Sequence, residues 1–363
     1  MNHREVELYA PKDLGASGTE VIDLDVADPL SAIELIFQTT VATAAVMTAP
    51  HVDCLSKIEL VDGSDVLFSL SGQEAQALAF YTSGRMPLND ISLKATEYMR
   101  SVIPIYFGRK LFDRELALDP KKFKNLQLKI TWDEDAANGS VTANQLTVRG
   151  WAFDKKVVTP IGFLMAKEIK SFTPAANTYE YTDLPTDYVY RLLMLRCAST
   201  TIEPNAQMAQ IKISEDNDKR IPIDMTGEEV LQKLCAPFGE IEEDYQGADA
   251  VTASTIYGAP TSKVRVLKDL DFDVIAAGDD ASQVTIAANK YSVDDGVNCK
   301  YYAFSARGYA PHFCLVIPAG DLMDINDWYN VTGIGSVKLI TQGAAAVGTS
   351  PSAQVCLQQL RKY

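Results

Sequence analysis

One pattern occurs twice in this chain, and it limits the possible folds more than any other feature. Phe68-Ser69-Leu70-Ser71-Gly72-Gln73-Glu74 is answered by Ile223-Asp224-Met225-Thr226-Gly227-Glu228-Glu229. Each is an alternating strand end that runs into Ser/Thr-Gly-x-Glu and a short helical stretch. Gly84 and Gly239 close the two stretches at the same distance, so the match is ungapped at an offset of 155. A second block matches at an offset of 211. Leu111-Phe112-Asp113 returns as Leu322-Met323-Asp324, and Phe123, Leu126 and Leu128 return as Ile334, Val337 and Leu339. Two blocks in the same order read as tandem copies of one domain.

The length fits that reading. A chain of 363 residues accommodates two domains, each large enough to bury its own core. No apolar run approaches the ~20 residues of a membrane-spanning helix. The first residues, Met1 to Glu7, lack the apolar stretch of a signal peptide, which predicts synthesis and assembly in a cytoplasm. Cys54, Cys197, Cys235, Cys299, Cys314 and Cys356 are scattered with no C-x-x-C pair, most of them among apolar neighbours, the pattern of buried reduced thiols. With 48 acidic against 33 basic residues, the net charge is −15. That argues against a direct grip on nucleic acid, which gains affinity by neutralising phosphates.

Short runs of period-two alternation dominate. Ile33–Phe37, Lys57–Val61, Leu126–Ile130 and Gln145–Val148 lie in the first half. Tyr188–Leu193, Gln210–Ile213, Val264–Leu267 and Ser336–Ile340 lie in the second. They read as half-buried strands. Asp62-Gly63, Asn138-Gly139, Asp216-Asn217-Asp218 and Asp295-Gly296 supply residues that tolerate the positive φ of tight turns. Within each copy one helix stands out. Ser71 and Thr226 are N-caps with Glu74 and Glu229 three residues on, the capping-box spacing. The helices are expected over Ala75–Tyr81 and Val230–Cys235, the second stopped by Pro237.

These signals predict an all-β fold of two tandem β-sandwiches or barrels, each with a short capped helix. The expected organisation is an N-terminal arm over 1–18, a first sandwich over 19–156, a linker over 157–186 and a second sandwich over 187–363. The apolar stretch Ile161–Met165 is expected to pack the linker between the domains. The growth of the offset from 155 to 211 places 56 extra residues in the second copy, between Gly239 and Asp324. Small residues and an acidic start over Glu240–Asp244 make about 240–300 an expected surface insertion.

Two fused sandwiches, the cap motif after a strand in each, and Pro104-Ile105-Tyr106-Phe107-Gly108-Arg109 before Asp113 resemble the double jelly-roll major capsid proteins. That lineage includes adenovirus hexons and the coat proteins of tailless, icosahedral bacterial viruses with an internal membrane. The resemblance implies two jelly rolls in one chain and a viral structural protein with no enzyme activity. It implies assembly in the host cytoplasm into the shell of a virion such as a bacteriophage. Three chains would form a pseudo-hexagonal capsomer that meets neighbouring capsomers and minor capsid or penton proteins. The insertion would form an outward tower, and the N-terminal arm would reach a neighbouring capsomer or an internal viral membrane. No sequence-specific nucleic acid contact is implied.

The second function class is a carbohydrate- or receptor-binding β-sandwich spike, for which Tyr245, Tyr257 and Tyr291 are candidate stacking aromatics. Catalytic readings are weak. His312 and Ser305 have no nucleophile elbow around them, and a histidine between Pro311 and Phe313 is ordinarily structural. Zinc is not expected from three scattered histidines, His3, His51 and His312. Asp133, Asp135, Asp216 and Asp218 are the metal candidates. They crowd hard oxygen ligands that suit Ca²⁺, without the twelve-residue loop of a calcium hand.

Overall fold

The computed structural model describes residues 2–42, 47–92, 96–137, 141–154, 158–247, 254–269, 283–287, 289–294 and 302–363. The first copy runs β1 (His3–Leu14), β2 (Ser17–Asp23), β3 (Leu30–Val41), β4 (Leu55–Asp62), β5 (Asp65–Leu70), α1 (Gly72–Ser83), β6 (Asn89–Ser92), β7 (Tyr98–Tyr106), β8 (Leu126–Asp133) and β9 (Val141–Phe153). Strands β1-β9-β3-β7 form one layer, and β2-β8-β4-β5 the other.

The second copy begins β10 (Gly162–Phe172), β11 (Tyr179–Leu184), β12 (Val189–Ala198), α2 (Pro204–Gln207), β13 (Met208–Glu215), β14 (Arg220–Met225) and α3 (Gly227–Val230). An insertion follows: β15 (Ile241–Gly247), β16 (Ser254–Tyr257), β17 (Ser262–Asp269), β18 (Gln283–Ala287), β19 (Lys290–Asp294) and β20 (Tyr302–Tyr309). Then come β21 (Cys314–Pro318), β22 (Val337–Gly343) and β23 (Ser352–Lys362). Its layers, β10-β23-β12-β21 and β11-β22-β13-β14, repeat the first copy strand for strand. This is the jelly-roll order twice over.

The repetition extends to irregularities that sequence does not advertise. A bulge after Leu30 in β3 has its counterpart after Tyr190 in β12. A bulge after Glu7 in β1 recurs after Glu168 in β10. The Leu30 amide donates to the Leu118 carbonyl at 2.7 Å, and the Tyr190 amide to the Tyr329 carbonyl at 3.0 Å. Leu118 and Tyr329 are themselves 211 apart, so the second sequence block marks equivalent connections.

Both capping boxes form. Ser71 and Thr226 each accept the amide of the glutamate three residues on, and each glutamate accepts the cap residue's amide at 2.9 and 3.0 Å. The glycine after each cap is required by close approach. A Cβ on Gly72 would stand 2.5 Å from the Val52 carbonyl oxygen, and one on Gly227 2.4 Å from that of Asn205.

Two sequence boundaries are corrected. The segment expected as an N-terminal arm is β1, paired with β9 along nearly its whole length. Val6, Leu8 and Tyr9 pack against the core, which explains the apolar residues that an arm would not need. The expected linker contains β10 and β11, the first two strands of the second copy. Phe163, Leu164 and Met165 are buried there, and β10 runs parallel to β5, with Ala166 opposite Phe68. That pairing joins layers of the two copies into one eight-stranded sheet, and a single core cluster spans both. The insertion is likewise anchored, since β15 pairs in parallel with β6 of the first copy.

Candidate assembly surfaces

The seam between the copies is built on α1. All residues from Gly72 to Tyr81 are buried. The Tyr81 hydroxyl donates to the Cys314 carbonyl at 2.7 Å, and Arg196 of β12 donates to Gln73. Arg191, the bulge residue of β12, is 1% exposed. Its guanidinium donates to Gln358 at 2.7 Å, and to Thr82 and the Leu322 carbonyl at 3.3 Å each. Burial lowers its pKa to about 10, and its neutral acceptors compensate the lost hydration. A second linkage crosses the G–H connections, the segments that join β7 to β8 and β21 to β22. Arg109 is paired with Asp113 at 2.7 Å and donates to the Met323 carbonyl at 2.9 Å. The copies are therefore one body.

The outer faces of the equivalent layers differ. In the first copy, Thr19, Lys57, Glu59, Gln127, Lys129 and Thr131 line the outward positions of β2, β4 and β8, with Lys57 and Glu59 paired at 2.8 Å. In the second copy, Tyr179 and Tyr181 stand 45% and 58% exposed on β11, and Ile340 of β22 lies opposite Tyr181. The first face is mostly polar, with Val21 48% exposed opposite Lys129, and the second carries an exposed tyrosine pair, the chemistry that anchors protein contacts.

The candidate residues fall as follows. His51 lies buried between the hydroxyls of Thr39 (3.0 Å) and Ser101 (2.9 Å). His312 is buried, with Nε2 at 2.9 Å from the Gln76 side-chain oxygen and Nδ1 without a partner among the described residues. Burial holds both at about 3, so both are neutral. His312 thus serves the seam and the base of the insertion, not Ser305. His3 stacks on Phe112 at 3.7 Å. Asp133 accepts the Asp135 amide at 3.1 Å, Asp216 accepts the Ser336 amide at 2.9 Å, and Asp218 pairs with Lys212 at 2.9 Å. The two aspartate pairs sit in different copies. Among the described residues no group of three or more His, Cys, Asp or Glu converges as a metal site would require.

Tyr245, offered as an exposed stacking aromatic, is 1% exposed and donates to buried Glu243. The pair anchors the insertion: Glu243 also accepts the Ala259 amide at 2.8 Å and the Asn89 side-chain amide at 2.7 Å. Tyr257 is half-buried; the side chain of Tyr291, and Cys299, Asn138-Gly139 and Asp295-Gly296, lie outside the described residues. Cys54, Cys197, Cys235, Cys314 and Cys356 are buried and unpaired. Sequence reasoning missed Arg191 and Glu243. A charge inside an apolar strand, as in Tyr190-Arg191-Leu192, was the available signal for the first.

No protein-family model and no curated protein matches the chain. Solved structures do. The major capsid protein of Sulfolobus turreted icosahedral virus matches with a TM-score of 0.62 at 11% identity, over 100% of this chain and 98% of that one. A chain of the PBCV-1 virus capsid matches at 0.57 with 10% identity, covering 99% and 93%. The major capsid protein of bacteriophage PM2 matches at 0.50 with 10% identity, covering 99% and 98%. The likeness runs end to end and establishes the fold as a double jelly roll.

Proposed function

We propose that this chain is the major capsid protein of an icosahedral virus, located in the virion shell, with three copies forming a pseudo-hexagonal capsomer. The observation that carries the reading is the duplication itself: two jelly rolls, identical in strand order and fused through shared sheets, in a fold matched end to end by capsid proteins. A hexagonal lattice needs a six-lobed tile, and a threefold ring of two-lobed chains supplies one. The exposed tyrosine pair of the second copy and the mostly polar face of the first give nearly equivalent lobes different contacts. The chain acts as a structural protein and not as an enzyme.

Its division into a first roll, a second roll and an insertion near 240–300 that faces outward belongs to the same proposal, as do contacts with minor capsid or penton proteins. The net charge of −15 keeps the genome at a distance. A free arm reaching a membrane is not part of it, because β1 belongs to the sandwich. The spike reading loses Tyr245 to the core. Sedimentation at neutral pH with divalent ions supplied tests the proposal: a stable trimer is expected, and a monomer that never associates would overturn it.

A further inference from the structure

The second copy has an open seat where the first has a filled one. In the first copy, β5 is covered by β10, and the start of β10 lies along the G–H connection. The Leu164 amide donates to the Phe107 carbonyl at 2.9 Å, the Ile161 amide to the Glu115 carbonyl at 2.9 Å, and the Ala117 amide to the Gly162 carbonyl at 3.0 Å. Asp65 pairs with Arg361 at 2.5 Å across the same junction. Phe163 and Tyr363 close the space beside Phe107 and Phe123.

Shared registers fix the counterparts in the second copy. Leu60 opposite Phe68 corresponds to Ile213 opposite Ile223. The Phe107 amide donates to Ser31 and the Ala319 amide to Arg191, at 3.1 and 3.0 Å. Thus Ala319 stands where Phe107 does, and Arg220 where Asp65 does. The result is a groove of about 280 Å³ lined by Tyr190, Leu193, Ile223, Ile317, Ala319 and Arg220. The counterpart backbone groups, the carbonyls of Ala319 and Asn326 and the amide of Trp328, make no hydrogen bond among the described residues. β14, the counterpart of β5, is the outer strand of its sheet. The edge is mixed, with Arg220, Pro222 and Asp224 beside Ile221 and Ile223, and the apolar groove next to it is the part that calls for a cover.

We infer that a second copy of this chain fills this seat, laying its β1 parallel to β14 as β10 lies on β5. The inference rests on the capsomer reading and names the contact that would close it. β1 is the counterpart of β10, with the same bulge, and is likewise the outer strand of its sheet. In that register the partner's Glu5 takes the place of Ala166, opposite Ile223. Asp154, following β9, takes the place of Arg361. The intrachain pair Asp65–Arg361 then becomes Arg220 with Asp154 of the neighbouring copy: the charges exchange sides and stay complementary. Both are accessible, with side chains 64% and 40% exposed. Arg220 also holds Glu215 at 2.5 Å, and Asp154 lies 3.9 Å from Arg4; a guanidinium has donors enough for two carboxylates. The head-to-tail contact has no twofold and closes only as a ring.

Two variants of the full chain test this. Glu5→Cys with Ile223→Cys should give a disulfide-linked trimer on a non-reducing gel, absent with either substitution alone. Arg220→Asp should weaken association about tenfold by sedimentation, and adding Asp154→Arg should restore it. Wild-type trimers that neither cross-link nor respond to the charge reversal would overturn the contact and leave the capsomer standing. A wild-type monomer would overturn both. A ladder of linked dimers and longer polymers would overturn the closed ring.

Discussion

The helices α1 and α3 start from the same instruction and end differently. Each is nucleated by a Ser/Thr-Gly-x-Glu capping box after equivalent strands, β5 and β14, with its glycine pressed against a carbonyl of an earlier segment, that of Val52 or Asn205. From there α1 runs twelve residues and ends on Gly84 in the left-handed conformation, whereas α3 makes one α turn. Leu231–Cys235 then widens into a π turn, and Ala236–Phe238, containing Pro237, tightens into a 3-10 turn. The difference lies in what covers them. α1 is buried between the copies, while Glu229 and Lys233 of the second segment form an exposed pair at 2.8 Å. Local sequence sets where such a helix begins, and tertiary burial sets how far it continues.

The largest expected effect breaks the seam on which that contrast depends. Arg191→Ser installs the residue of the equivalent bulge, Ser31. It should cost about 3 kcal/mol in denaturant unfolding, because Gln358 and the Leu322 carbonyl lose a buried donor and a cavity opens. Next, Gly72→Ala and Gly227→Ala should each cost about 2 kcal/mol, nearly equally, since both new methyl groups meet a backbone carbonyl. Unequal losses would show that the two turns are not equivalent. The caps give a smaller, graded effect. Ser71→Ala and Thr226→Ala should cost about 1 kcal/mol each, the first more because Glu74 is buried beside it.

Acid should loosen the packed base of the insertion. His51 and His312 are held at about 3 by burial, so their contribution is complete above the unfolded value near 6.5 and is lost as pH falls toward 3. Asp53 opposes them. Burial pushes it up to about 7, with Arg196 working against the shift, so it costs stability as pH rises from 3.8 to 7. Two sites outweigh one, and unfolding free energy should fall by about 1.4 kcal/mol per pH unit between 6 and 4. Replacing both histidines with glutamine should make the slope shallower.

Much of this was legible in the sequence. The alternating runs of Ile33–Phe37, Lys57–Val61 and Gln210–Ile213 fall inside β3, β4 and β13, because one-sided burial writes a period of two. The caps were legible because they are local. What the sequence concealed was any strand defined by its partner. β1 alternates weakly because most of its residues are exposed or only half-buried, and β10 begins with a continuous apolar run because that stretch is buried on both faces. In the sequence alone they therefore resemble an arm and a linker. Glu243 and Tyr245 looked like an acidic, exposed start to the insertion, because buried pairing between a carboxylate and a phenol leaves no pattern in the chain.

Electron microscopy of assembled particles tests the central claim most directly. The account predicts a shell tiled by six-lobed capsomers, each containing three copies of this chain, with residues 240–300 at the outer surface. Particles that carry the chain only at a few sparse positions, or capsomers that do not divide into three two-lobed subunits, would contradict it.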